Sequence, residues 1–167
     1  MKKIIIASVS FFFGITLIAQ DNNNGIALVP QPVSLVKQRG EYVLPQQFTI
    51  HAGKDAELKR LALDLAEKIG RSTGYKIDVK ETVDPARNGI QFFLRKNSSI
   101  PKEGYRLDVK TNYIELEASS PAGIFYGIQT LLQLMPPEVE STGRIEKKEW
   151  QIPSVLITDQ PRFGWRG

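Results

Sequence analysis

The sequence has no cysteine. Disulfides, cysteine-ligated zinc and thiol nucleophiles are therefore excluded. It has a single histidine, His51, which rules out a histidine-rich metal site. No aspartate stands immediately before a glutamate, and no Gly-x-Ser-x-Gly occurs. Basic residues are scattered, and Lys2 and Lys3 supply two of the net charge of +4. Nucleic-acid binding needs a concentrated basic face, and none is visible. Nor is there any charged residue between Ser119 and Pro137.

What is present has a globular balance. The chain is 41% hydrophobic and 24% charged over 167 residues, enough for one domain of ordinary size. Residues 1–19 have the form of a secretory signal peptide, with Lys2 and Lys3 before an apolar run that ends at Ala19. An uncleaved membrane anchor is the alternative. Residues 20–25 contain three consecutive asparagines and are expected to be a disordered leader. The protein is thus expected to be exported to the periplasm or cell surface of a bacterium, with no membrane contact after cleavage.

The uncharged stretch is the clearest helix. Ser120 can cap it, and Pro121 suits its first position. Ile124, Ile128, Leu131, Leu132 and Met135 recur at helical spacing, and Pro136 and Pro137 stop it. Such a helix needs a sheet on one side and something else on the other. Gly123 and Gly127, one turn apart, let its backbone lie close to a neighbour. Residues 55–69 form a second, one-sided helix with Leu58, Leu61, Leu65 and Ile69 inward and Gly70 supplying the terminal turn.

Strands are expected at 41–44, 48–51, 75–80, 89–95, 105–110, 113–117 and 150–159, from alternation or apolar runs. Gly40 is expected to make a turn. Thr111-Asn112 joins two alternating strands as a hairpin. Residues 138–149 are expected to be a charged, irregular loop. The order predicts an α+β fold, a mostly antiparallel sheet with two packed helices.

The last residues, Phe163 and Trp165 between Arg162 and Arg166, have the character of another buried element rather than a polar tail. They suggest a chain cut at the first strand of a following domain. At this point the sequence resembles a known family. Leu28-Val29-Pro30-Gln31-Pro32, Glu103-Gly104-Tyr105-Arg106-Leu107, the string from Gly123 to Leu134 and the closing Asp159-Gln160-Pro161-Arg162-Phe163-Gly164-Trp165-Arg166-Gly167 are similar to the N-terminal part of a β-N-acetylhexosaminidase of glycoside hydrolase family 20.

The resemblance implies a non-catalytic domain at 26–152 and the start of a catalytic (β/α)₈ barrel at 153–167. It implies exo-hydrolysis of terminal N-acetylglucosamine or N-acetylgalactosamine, retaining and substrate-assisted, without a cofactor or metal. The catalytic Asp-Glu pair of that family is absent from this chain, so the chain alone is expected to be inactive. Its expected partners are its own barrel and, through the barrel, N-acetylhexosamine-terminated glycans. Arg166 matches the family arginine that holds hydroxyls of the terminal sugar, a task suited to its fork of donors.

Other candidates are weaker. His51 has no recognisable catalytic partner, and Ser119, Ser120 and His51 make no triad signature. Gly70 and Gly74 are turn glycines without a phosphate-loop lysine. Asp55 and Glu57 are expected as first-turn charges favouring the helix dipole. Phe92, Phe93, Tyr105 and Tyr113 could form a sugar-stacking platform but are expected in the core. An exported glycan-binding module without catalysis remains the rival function. A purely structural docking domain is compatible with the first.

Overall fold

The computed structural model describes residues 25–84, 88–96, 98–146 and 149–161. The expected signal peptide, almost all of the leader, and residues 162–167 with Phe163, Trp165 and Arg166 lie outside that range. The elements run β1 (Ser34–Val43), β2 (Gln47–His51), α1 (Ala56–Thr73), β3 (Lys76–Lys80), β4 (Gly89–Leu94), β5 (Tyr105–Val109), β6 (Tyr113–Ala118), α2 (Pro121–Leu134) and β7 (Gln151–Asp159), with a 3-10 turn at Pro137–Glu140.

The strands form one seven-stranded sheet in the order β1-β7-β5-β6-β4-β2-β3. The fold is α+β and the sheet mostly antiparallel, as expected. Its antiparallel part is β1-β7-β5-β6. From β6 through β4 and β2 to β3 the pairing turns parallel. The cause lies in the connections. α1 carries the chain from β2 back to a parallel β3, as a crossover helix must.

Alternation decides the two faces of the sheet. Tyr105, Leu107 and Val109 stand opposite Ala118, Leu116 and Ile114, and all six are buried. Ile90 and Phe92 of β4 continue this layer. Both helices cover that face: α2 lies on β5 and β6, α1 lies on β2 and β3, and the helices touch each other. The opposite face carries Arg106, Asp108, Glu115 and Glu117.

Two glycines set how closely α2 approaches. A Cβ on Gly123 would run into the carbonyl oxygen of Gly104 and the Cβ of Ala118; one on Gly127 would run into the methyls of Leu116. The spacing read in the sequence as close approach is thus contact with the sheet. Ser120 caps α2 by accepting from the Gly123 N–H at 3.5 Å, with Pro121 at its first turn.

Three expectations need correction. Gly40 does not end a strand. It sits at φ +87° inside β1, where residues 38–40 bulge before pairing resumes at Glu41 opposite Pro153. That irregularity, which lies beyond the last β5 partner at Val155, is what lets a proline sit in β7. Gly70 does not end α1, which continues to Thr73 with Gly74 at φ +73° as its cap. Ser72 and Thr73 return their hydroxyls to the carbonyl of Ile69, at 3.1 and 2.7 Å, which lets polar residues occupy a buried last turn. The expected loop holds at 141–146, but it opens on the 3-10 turn and is pinned at points: Val139 is buried, Glu140 pairs with Lys68 at 2.5 Å, and the Ile145 N–H donates to the Ser72 carbonyl at 2.8 Å.

Candidate functional site

Two surfaces can meet a partner or ligand. The first is the outer side of the helix pair. α2 has no charged side chain on any side, yet Phe125 is 44% exposed and Gln129 and Gln133 face outward at the following turns. Leu61, Lys68, Phe125, Ile128 and Gln129 line a groove of about 280 Å³ between the helices. Gln133 also holds the incoming chain. Its Oε1 accepts from the Val29 N–H at 2.9 Å, and its Nε2 donates to the Val29 carbonyl at 3.0 Å. Val33 N–H then donates to Asp159 Oδ1 at 3.1 Å, joining this segment to the end of β7. Val29 and Val33 remain exposed beside these contacts.

The second surface is the opposite face of the sheet. Its charges neutralise one another. Asp108 Oδ1 lies 3.3 Å from Lys110 Nζ and accepts from Gln38 Nε2 at 3.3 Å, and Lys110 Nζ donates to Gln38 Oε1 at 2.6 Å. Arg95 pairs with Glu117 at 3.5 Å and stacks on Phe93, 5.2 Å from its ring centre. Beside this network a pocket of about 520 Å³ opens, with Tyr42, Gln47, Thr49, His51, Thr82 and Asn88 among its walls. Burial pushes the Tyr42 phenol up to about 12.

The structure disperses the other sequence candidates. His51 is buried at the end of β2, with Nδ1 3.4 Å from Thr82 Oγ1. Ser119 donates to the Pro101 carbonyl and Ser120 to that of Lys102, so neither approaches the role of a nucleophile. Asp55 is the N-cap of α1, accepting from the N–H groups of Glu57 and Leu58 at 3.0 and 3.2 Å. The four aromatics make no platform. Phe92 and Tyr105 are buried in the helix-covered layer, where the Tyr105 hydroxyl meets Thr130 at 2.5 Å. Phe93 and Tyr113 stand on the other face, opposite Glu117 and Gly89.

Arg166 lies outside the described residues. Among the described residues no group of three His, Asp or Glu side chains could hold a metal, and no helix is long and apolar enough to cross a membrane. The pocket beside Tyr42 was not found from sequence. The available signal was the polar alternation of Gln47, Thr49 and His51 along β2, which marks a face left uncovered by α1.

The family model described as glycosyl hydrolase family 20, domain 2, matches residues 25–160. A beta-hexosaminidase of Porphyromonas gingivalis is 32% identical over 145 residues, 87% of this chain and 18% of that protein. A beta-N-acetylhexosaminidase of Cellulomonas fimi is 27% identical over 85% of this chain and 27% of its own length. Among solved structures, the N-acetyl-beta-hexosaminidase of Streptomyces plicatus matches at 31% identity and a TM-score of 0.73, over 81% of this chain and 26% of that one. The chain therefore spans between about a fifth and about a quarter of the length of the relatives it matches. With the model covering nearly all of the described residues, the chain belongs to glycosyl hydrolase family 20.

Proposed function

We propose that this chain is the non-catalytic supporting domain of a β-N-acetylhexosaminidase that removes terminal N-acetylglucosamine or N-acetylgalactosamine. The observation that carries this reading is the match in family and fold to hexosaminidases of which the chain spans only a small part. The helix face supports it. A catalytic barrel can cover Phe125, Gln129 and Gln133 of α2 without stripping water from any ion on that helix. The exposed Val29 and Val33, tied to Gln133 and Asp159, extend the same side.

In this reading the acetamido oxygen of the substrate is the nucleophile, one of the exceptions to the two-carboxylate scheme. The Asp-Glu pair that orients it and protonates the leaving group belongs to the barrel, and the 167 residues contain no such pair. Arg166 holds hydroxyls of the terminal sugar. Export after removal of residues 1–19 delivers the enzyme to glycans outside the cytoplasm.

The test compares two purified products on a chromogenic N-acetylglucosaminide: this chain, and the product of the reading frame continued past codon 167. The longer product hydrolyses it and the chain does not. Turnover by the chain alone refutes the assignment. In the longer product, Arg166→Ala lowers kcat/KM by about 10- to 100-fold, the worth of a charged hydrogen bond. Mass measurement of the exported product should place its first residue at Gln20.

A further inference from the structure

We propose that the pocket beside Tyr42, on the sheet face away from the helices, binds an uncharged saccharide unit. Its volume of about 520 Å³ falls within the range of small-molecule sites. Gln47, Thr49 and His51 alternate along β2 and so present side chains to one side. Thr82, Asn88 and Asn112 complete a wall of neutral donors and acceptors. Among the described residues its ionic lining is Lys80 and Asp84, one of each sign, so most of the named wall is neutral. A sugar ring donates and accepts at each hydroxyl, which suits such a mixed lining. Its C–H face can lie on Pro45 and Val83, which also line the pocket.

One buried polar group in the pocket wall, and one behind it, lack a partner among the described residues. Tyr42 is 2% exposed, forms part of the wall, and its hydroxyl has no hydrogen-bond partner among the described residues. Gln91, 1% exposed, donates from Nε2 to the carbonyl of the lining residue Asp84 at 3.0 Å, which leaves its Oε1 unpaired. Buried polar groups are almost always paired, and leaving one unpaired costs about 1–3 kcal/mol. Both atoms are closed to solvent in this structure, and a hydroxyl-rich ligand that draws the Tyr42 hydroxyl into the pocket recovers part of that loss. Burial keeps the phenol protonated over the whole physiological range, so Tyr42 enters such a contact as a donor. The site belongs to this domain and needs no hydrolysis, so it stands or falls apart from the proposed enzyme.

The experiment is a titration of the isotopically labelled chain, followed by amide chemical shifts. Chitobiose and cellobiose serve as neutral probes and N-acetylglucosamine 6-phosphate as the anionic one. Saturable shifts are expected at Thr49, His51, Thr82, Asn88 and Gly89 with a neutral disaccharide, and weaker ones with the phosphate. Tyr42→Phe removes one oxygen that has no partner among the described residues. It should bind about five- to tenfold more weakly, the worth of one neutral hydrogen bond. Its melting temperature should be unchanged or higher. Four results overturn the proposal: no saturable shift with either disaccharide, shifts confined to α1 and α2, preference for the phosphate, or a Tyr42→Phe variant that binds like the parent.

Discussion

Gly123→Ala tests how α2 is seated. In an open helix the added methyl would stabilise, by up to about 1 kcal/mol. Here it meets the carbonyl oxygen of Gly104 and the Cβ of Ala118, neither of which can rotate away. Overpacking of this kind costs about 1–3 kcal/mol, and rigid neighbours place it at the upper end. The expected net loss is about 1–2 kcal/mol. With a urea slope of about 2 kcal/mol per molar, the unfolding midpoint should fall by about 0.5–1 M. Gly127→Ala should cost less, because the atoms it meets are terminal methyls of Leu116, which can shift. Gly143→Ala is the control: nothing lies within 4 Å of its Cβ position, so it should gain a few tenths of a kcal/mol, about the unfolded-state effect alone. The assay is equilibrium unfolding of the three variants, followed by circular dichroism. If Gly123→Ala matched or exceeded Gly143→Ala in stability, the flush contact between α2 and the sheet would be wrong.

Asp55→Ala should cost about 1 kcal/mol in the same assay, through loss of the cap on two N–H groups of α1. Tyr42, raised to about 12 from 10, is neutral in the fold where the unfolded chain would already be ionised. The native state then binds the extra proton, so stability falls as pH rises from 10 to 12, by at most about 1.4 kcal/mol per pH unit. Tyr42→Phe should flatten that part of the profile; an unchanged slope would assign it to other groups. Gln133→Ala should speed hydrogen exchange at Val29 while barely moving the melting temperature, because both lost bonds lie at the surface. Unaltered exchange would show that the segment is held by other contacts.

The elements legible in the sequence are those whose pattern is local. The caps and stops of α2, the stripe of α1 and the Thr111-Asn112 hairpin all follow from residues within a few positions of each other. What escaped depends on partners far along the chain. Gly40 has the character of a turn until β7 is known to run beside it, when it becomes a bulge opposite the approach to Pro153. Gly70 would end α1 if Ser72 and Thr73 could not return their hydroxyls to Ile69. In the parallel part of the sheet the β2–β3 pair is set by where α1 returns the chain, and strand alternation does not encode direction. Asp108, Arg106 and Lys110 are legible as charges but not as a self-neutralising set, which requires Gln38 from β1. The family motifs located the domain because they coincide with its tightest packing, Gly123 and Gly127 against the sheet.

The two faces of the domain differ in what it costs to cover them. On the sheet face, Arg95, Arg106, Asp108, Lys110 and Glu117 keep partial contact with water, and a second domain laid over them would have to desolvate each ion. Their pairing across strands satisfies that face without a partner, which leaves room for a small polar ligand beside it. On the helix face, α2 offers Phe125, Gln129 and Gln133, whose burial desolvates no charge, while Asp64, Glu67, Lys68 and Arg71 of α1 line the opposite wall of the groove. Covering apolar area there is favourable at about 25 cal/mol per Å². A charge placed at Gln129 separates the roles. Gln129→Glu adds an ion to the centre of the uncharged helix face without touching the sheet pocket. It should leave saccharide binding at Tyr42 unchanged and destabilise only the longer protein, seen as a lower melting temperature there than in this chain. Equal effects on both would place the second domain elsewhere.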